Sequence, residues 1–257
     1  MNNLAVVISV ITQKGGVGKT TVVNALCASL NKKRYRVLAI DMDPQGNLSL
    51  SFDADTDNAA TIYDVLKGEA APIDSIQRLA VSDIIPSNIL LSSIELEYTG
   101  KNREFLLSNV IEKLSGLYDV IFIDSPPGLG ILTINALTAS DYVIIPMLPD
   151  IFSLQGLTLV YDTIEYIQST VNKKLAISGI LVNRYMKRSK LHKEIYGTAQ
   201  LICHKLNVNL FKTVIRNSRT LAEAQSIQTD ITEYSPKSSG VKDFNSLVVE
   251  LEELNII

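Results

Sequence analysis

Residues Lys14-Gly-Gly-Val-Gly-Lys-Thr-Thr21 follow an apolar run, Leu4 to Ile11, and open a stretch of helical periodicity. A strand, a glycine-rich bend and a helix in that order leave the chain little freedom. The bend points its backbone N–H groups inward, and the helix N-terminus behind it adds a partial positive charge. Such a junction suits a phosphate. The pattern predicts that Gly15, Gly16, Val17 and Gly18 wrap a nucleoside triphosphate and that Lys19 reaches its β- and γ-phosphates. Thr20 is the expected Mg²⁺ ligand, with Thr21 completing the binding loop. The common spacing G-x-x-x-x-G-K-[ST] requires glycine at position 13, but this chain has Gln13 followed by a second lysine, Lys14.

Apolar runs recur along the chain at Val6–Ile11, Val37–Ile40, Val81–Ile85, Val120–Ile123, Tyr142–Ile145, Ile177–Val182 and Phe211–Ile215. Several are continuous rather than alternating, as expected for strands covered on both faces. Helical patterns lie between or after them at Lys19–Lys33, Arg103–Leu117, Ser153–Thr170, Lys190–Leu206 and Val241–Leu254. This alternation predicts an α/β fold, a doubly wound and mostly parallel sheet with helices on both faces. The chain has 257 residues, of which 46% are hydrophobic and 20% charged, enough for one large core, so a single domain over 1–257 is expected. No apolar run approaches the ~18–20 residues that cross a bilayer, and the first residues lack a basic start and a cleavage site, so a cytoplasmic protein is expected. Two cysteines, Cys27 and Cys203, cannot make a metal site by themselves.

In a doubly wound sheet the ligand crevice lies at the carboxyl ends of the strands, where two acidic motifs fall. Asp41-Met-Asp-Pro-Gln-Gly-Asn47 follows one apolar run, and Ile123-Asp-Ser-Pro-Pro-Gly-Leu-Gly130 follows another. Asp124 is placed to hold Mg²⁺ through a bound water, or else to cap the following turn. Asp43, beside Pro44, fits a turn on its residue type alone.

Together these motifs resemble those of the ParA/MinD superfamily of P-loop ATPases, whose deviant loop reads KGGxGK[ST]. The resemblance extends through Leu132–Ala139, Leu154–Leu157 and Arg219–Ala224, in the order seen in ParA and Soj partition proteins, and is weakest between about residues 52 and 117. It implies an ATPase with ATP and Mg²⁺ as ligands. It also implies that Lys14 crosses a dimer interface to the partner's phosphates, and that Asp43 positions the attacking water. Asp41 would support either the magnesium shell or only the surrounding loop, and Asn183, at a strand end, would meet the adenine edge. The bland alternative for Lys14 is a contact within its own subunit or a solvated side chain. Cluster-bearing relatives such as the nitrogenase iron protein need bridging cysteines that are absent here.

The net charge of −3 hides an asymmetry. Between Leu181 and Arg219 lie nine basic residues and one acid, Glu194; that segment carries +8, which leaves −11 for the remainder. Such a basic segment suits a polyanion bound through its phosphates, and the resemblance implies nonspecific double-stranded DNA and a nucleoid-associated protein. Arg216 and Arg219 are the leading candidates for DNA contact, with Lys187, Arg188 and Lys237 behind them. Relatives commonly carry Ile-Pro-Arg-Asn where this chain has Val214-Ile-Arg-Asn217, and proline where it has Gln225. A ParB-like centromere-binding partner and a nucleotide-dependent homodimer are further implications of the resemblance.

Three other functions fit the same loop. One is a related ATPase that positions a protein cargo, and another is a nucleotide-dependent adaptor that does not hydrolyse. A MinD-like membrane-positioning ATPase would need a basic C-terminal helix, whereas Asp243–Ile257 holds Asp243, Glu250, Glu252 and Glu253 with no lysine or arginine. With 13 residues ahead of Lys14, no N-terminal helix-turn-helix domain is expected.

Overall fold

The computed structural model describes residues 4–257. Seven strands, β1 (Val6–Val10), β2 (Val37–Asp41), β3 (Gln77–Arg78), β4 (Asp83–Ile85), β5 (Val120–Asp124), β6 (Tyr142–Met147) and β7 (Ala176–Val182), form one sheet in the order β3-β4-β2-β5-β1-β6-β7. All neighbours pair in parallel except β3, which runs antiparallel to β4 at the edge. The helices are α1 (Lys19–Lys32), α2 (Asn47–Ser51), α3 (Ile62–Lys67), α4 (Ile94–Glu97), α5 (Leu106–Leu114) and α6 (Ile131–Ala139). They continue with α7 (Ile151–Thr170), α8 (Lys190–Leu206), α9 (Arg219–Ser226), α10 (Ile231–Tyr234) and α11 (Ser239–Glu253).

Alternate residues of each buried strand serve opposite faces of the sheet, which is why the strand sequences read as unbroken apolar runs. On β5, Val120 and Phe122 face a core shared with α1 and α11, while Ile121 and Ile123 face one shared with α5 and α6. A third cluster lies under α7 and α8, against β6 and β7. Burial pushes the Cys27 thiol up to about 12 and the Cys203 thiol to about 11, so both behave as small apolar side chains. Among the described residues no helix is long and apolar enough to cross a membrane.

One expected strand does not form. Residues 209–217 run extended beside β7, with Phe211 N donating to Ile180 O (3.0 Å) and Ile215 N to Val182 O (2.9 Å), yet they make only isolated bridges. The donors between are taken by carboxylates of α11. Lys212 N and Thr213 N donate to the two oxygens of Glu250 (2.7 and 2.9 Å), and Arg216 N donates to Asp243 (2.9 Å). An acid on a neighbouring helix thus replaces a ladder that no eighth strand continues. The helix expected over Arg103–Leu117 is also shorter, opening with a 3₁₀ turn at Arg103–Phe105 and ending at Leu114.

Because Glu250 is buried and satisfies two backbone donors, its removal strands both. Glu250→Ala is expected to lower unfolding stability by about 2 kcal/mol, whereas Val249→Ala on the exposed side of the same helix stays within about 0.5 kcal/mol. Urea titration reads both as shifts in midpoint at constant slope; equal shifts would show that Glu250 contributes no more than an exposed side chain.

Candidate functional site

The parallel register brings three strand ends onto one row. Val10 of β1 is paired with Asp124 of β5, and Asp124 with Asp41 of β2. The P-loop leaves β1 just beyond that row, so the loop and both acidic motifs must share one edge of the sheet, at its topological switch point. A cavity of about 470 Å³ opens there, lined by Gly15, Gly16, Gly18, Lys19, Thr20, Thr21, Asp43 and Gln45 among others.

The loop reaches α1 through two glycines in the left-handed region, Gly16 at φ 74° and Gly18 at φ 99°. Gly18 is constrained twice, because a Cβ there would also lie 2.5 Å from the Asn183 amide nitrogen. No acid occupies the first turn of α1, which leaves its N-terminal positive end free for an anion. Thr20 Oγ1 donates to Asp124 Oδ2 at 2.6 Å, while Asp124 Oδ1 is buried without a hydrogen-bond partner.

That donor set fits Mg²⁺. An unpartnered carboxylate oxygen beside a threonine hydroxyl, at the mouth of a phosphate-shaped loop, is what a cation shared with a triphosphate requires. Among the described residues no group of three His, Cys, Asp or Glu side chains is arranged to hold a metal alone. The local electrostatics agree. Burial, followed by the charge of Asp41, raises the Asp124 carboxyl well above its ordinary range, with Thr20 and Lys19 only partly offsetting them. Burial also lowers the Lys19 ammonium, against the pull of Asp124 and Asp43.

Asp41 lies at the end of β2, fully buried, and burial raises its carboxyl to about 6 despite the donors around it. Its Oδ1 accepts Asp43 N at 3.0 Å, and its Oδ2 accepts Ser49 N and Ser49 Oγ at 2.9 and 2.7 Å. Ser49 Oγ in turn accepts Ser87 N at 2.8 Å, beyond the end of β4. Of the two roles open to Asp41, the geometry displays loop support. Asp43 is thereby held at the cavity wall, with its Oδ1 accepting Gln45 N at 3.0 Å.

The contacts of Lys14, Asn183 and Thr21 were not readable from the motifs. Lys14 Nζ pairs with Asp150 Oδ2 at 2.9 Å and stands 5.6 Å over the Phe152 ring, with part of its side chain still open to solvent. Asp150 also caps α7 by accepting Ser153 N at 2.8 Å. Although burial opposes it, Asp150 titrates below its ordinary value because Lys14 and Ser153 N–H favour the carboxylate. Asn183 donates from Nδ2 to Val17 O at 2.8 Å and accepts Arg184 N on Oδ1 at 2.8 Å. In this arrangement its amide braces the P-loop backbone at Val17. Thr21 Oγ1 donates to Gln225 Oε1 at 2.9 Å, which ties α1 to α9.

The basic candidates Lys187, Arg188, Arg216, Arg219 and Lys237 are all exposed. Arg184, Arg216 and Arg219 line a cavity of about 370 Å³ that shares Thr21, Arg184 and Gln225 with the P-loop cavity. Arg216 is not a free cation. Its Nε and Nη2 clasp Asp243 at 2.7–3.0 Å, and its own amide bonds the same carboxylate. Three of the four helix acids read from sequence as a repulsive face are likewise engaged within the fold, Asp243 and Glu250 as above and Glu252 by bonding Lys33 and Tyr35.

Comparison with known proteins agrees with this geometry. A family model described as an AAA domain matches residues 5–177. The sporulation initiation inhibitor protein Soj of Bacillus subtilis is 36% identical over 249 residues, covering 95% of this chain and 97% of that one. The chromosome partitioning protein ParA of Caulobacter vibrioides is 34% identical, covering 95% and 93%. Among solved structures, cobyrinic acid a,c-diamide synthase from Mycobacterium smegmatis with bound ATP analogue and magnesium superposes with a TM-score of 0.83 at 28% identity, over 97% of this chain and 96% of that one. A plasmid partition protein from Borrelia burgdorferi gives a TM-score of 0.75 at 26% identity, over 96% and 99%. With the deviant loop, the paired acidic strand ends and near-complete coverage by these relatives, the chain belongs to the ParA and Soj family of P-loop ATPases.

Proposed function

We propose that this chain is a partition ATPase that binds ATP and Mg²⁺, assembles as a homodimer around the nucleotide, engages double-stranded DNA without regard to sequence, and lets go when ATP is hydrolysed. The observation that carries the reading is the Thr20–Asp124 bond beside the unpartnered Asp124 oxygen, at the base of a loop whose second lysine, Lys14, is paired with Asp150. Mg²⁺, when bound, neutralises charge on the β- and γ-phosphates. Lys19 and the loop N–H groups hold those phosphates, while Thr20 and Asp124 seat the metal. Asp43, kept in place by Asp41, orients the attacking water. Lys14 exchanges Asp150 for phosphates bound by the second protomer, where concentrated negative charge favours it.

Arg219, Lys187, Arg188 and Lys237 present exposed charge for DNA phosphates, with Arg216 contributing from its place on Asp243. Two protomers acting together sum two weak patches, so nucleotide-driven assembly switches DNA affinity. This reading places the protein in the cytoplasm on the nucleoid and implies a ParB-like partner that marks the cargo.

Asp43→Ala is expected to slow phosphate release by about a hundredfold or more while leaving nucleotide binding intact; turnover equal to the parent would remove Asp43 from the chemistry. Fluorescence anisotropy on a nonspecific duplex should show binding with ATP and none with ADP. Log affinity should fall with log salt by about 0.9 for each phosphate neutralised, and Arg219→Ala should reduce that slope by about 1 per protomer. Binding indifferent to nucleotide would sink the nucleoid reading while leaving the ATPase in place.

A further inference from the structure

We propose that Glu95 of α4 is a positioning residue for ATP hydrolysis, closing a brace that ties the loop carrying Asp43 to the loop that follows Asp124. Helix α6 begins at Ile131 with nothing of its own to cap it, because Gly130 has no side chain and no acid stands in the first turn. Free N–H groups at a helix start call for an acceptor, and a negatively charged one is favoured there. Glu95 Oε1, from a separate helix, accepts Ile131 N at 3.2 Å. The approach leaves no room for a side chain at the preceding position, since a Cβ on Gly130 would lie 2.5 Å from that oxygen.

Residues 125–130 separate Asp124 from α6. Ser125 Oγ donates to Val10 O at 2.9 Å at one end of this loop, and Thr133 Oγ1, inside α6, donates to Gly128 O at 2.9 Å near the other. Pro127, between them, lines the nucleotide cavity. Where α6 begins therefore sets where the cavity wall stands. Glu95 fixes that start from a segment that is itself anchored beside Asp41. Beyond β4, Ser87 N donates to Ser49 Oγ, which donates to Asp41 Oδ2, while Asp41 Oδ1 accepts Asp43 N. The 3₁₀ turn Ile89–Ser93 then leads directly into α4. Residues 87–95 thus reach from one acidic motif to the other, and set the spacing between the group proposed to orient water and the one proposed to seat Mg²⁺. Phosphoryl transfer needs both groups aligned on the same phosphate, so a slack brace costs rate. Nucleotide affinity is spared, because Lys19 and the P-loop N–H groups supply it. The inference rests on ATP hydrolysis at this site and on no part of the partition reading.

The test is steady-state phosphate release from ATP and Mg²⁺ by the full chain, comparing the parent with Glu95→Ala, Glu95→Gln, Gly130→Ala and the Glu95→Ala, Gly130→Ala double variant. Each is measured below its own unfolding midpoint. Glu95→Ala is expected to lower kcat by about tenfold at unchanged KM. Glu95→Gln keeps an acceptor oxygen and should stay within about threefold of the parent. Gly130→Ala displaces the end of the flexible Glu95 side chain, so it should slow turnover about as far as Glu95→Ala. In the double variant it should add nothing further, because φ −74° at position 130 suits alanine. Glu95 is exposed, so far-ultraviolet circular dichroism should match the parent throughout. Four results overturn the brace: Glu95→Ala turning over like the parent, a loss that falls on KM, Glu95→Gln as slow as Glu95→Ala, or Glu95→Ala and Gly130→Ala effects that multiply. Any of these beside normal turnover by the parent leaves hydrolysis standing, whereas a parent that releases no phosphate removes hydrolysis and the brace together.

Discussion

The row formed by Val10, Asp124 and Asp41 is the constraint from which the rest of the site follows. Parallel pairing in register leaves no choice about where the P-loop begins relative to the two carboxylates. Once β1 ends at Val10, the loop must turn back over the sheet edge, and Thr20 in the first turn of α1 comes within 2.6 Å of Asp124. A slip of one residue would turn Asp124 from the ligand edge to the opposite face of its strand and replace a buried isoleucine with a carboxylate. Register is therefore held by the hydrophobic faces of β5, and the chemistry inherits its precision from that packing.

Burial raises the proton affinity of both carboxylates, helped at Asp124 by the charge of Asp41 and at Asp41 by that of Asp43. The fold tolerates them by giving each a different task. Asp41 collects three donors and holds the loop that carries Asp43, while Asp124 keeps one oxygen free of protein partners. The same economy governs the far side of α1, where Asp243 and Glu250 close the backbone of residues 212–216. Their negative charge is committed inside the fold, as is part of the charge of Arg216, so linear counts of acids and bases overstate what the surface offers.

The phosphate loop and the doubly wound sheet were legible because both are written locally, in a glycine spacing and in unbroken apolar runs. Lys190–Leu206 was legible to the residue because Ser189 caps its start and Asn207, in the left-handed conformation, ends it. Residues 211–215 misled because strand periodicity reports which side chains are buried, not who accepts the backbone hydrogen bonds. Here the acceptors are carboxylates from a helix that follows in the chain, and no pattern at 211–215 announces them. The two-residue β3 and the short helices α2, α3 and α10 are too brief for periodicity to register. The links from Asn183 to Val17 and from Thr21 to Gln225 join residues 166 and 204 positions apart, and so exist only once the sheet is assembled.

The strength of the Lys14–Asp150 pair is itself informative. Its side chains are 40% and 33% exposed, so solvent screens them and the pair contributes about 0–1 kcal/mol. A buried, fully desolvated pair would cost several kcal/mol to break from one side, and would hold Lys14 against any competitor. A triphosphate offers several charged oxygens at comparable distance and, between two protomers, less water to screen them. In the proposed dimer, the exchange of this carboxylate for phosphates brought by a second protomer meets little opposition, because the resting pair is weak. Asp150 loses little in the exchange, since Ser153 N–H still bonds it and the N-terminus of α7 still favours its charge.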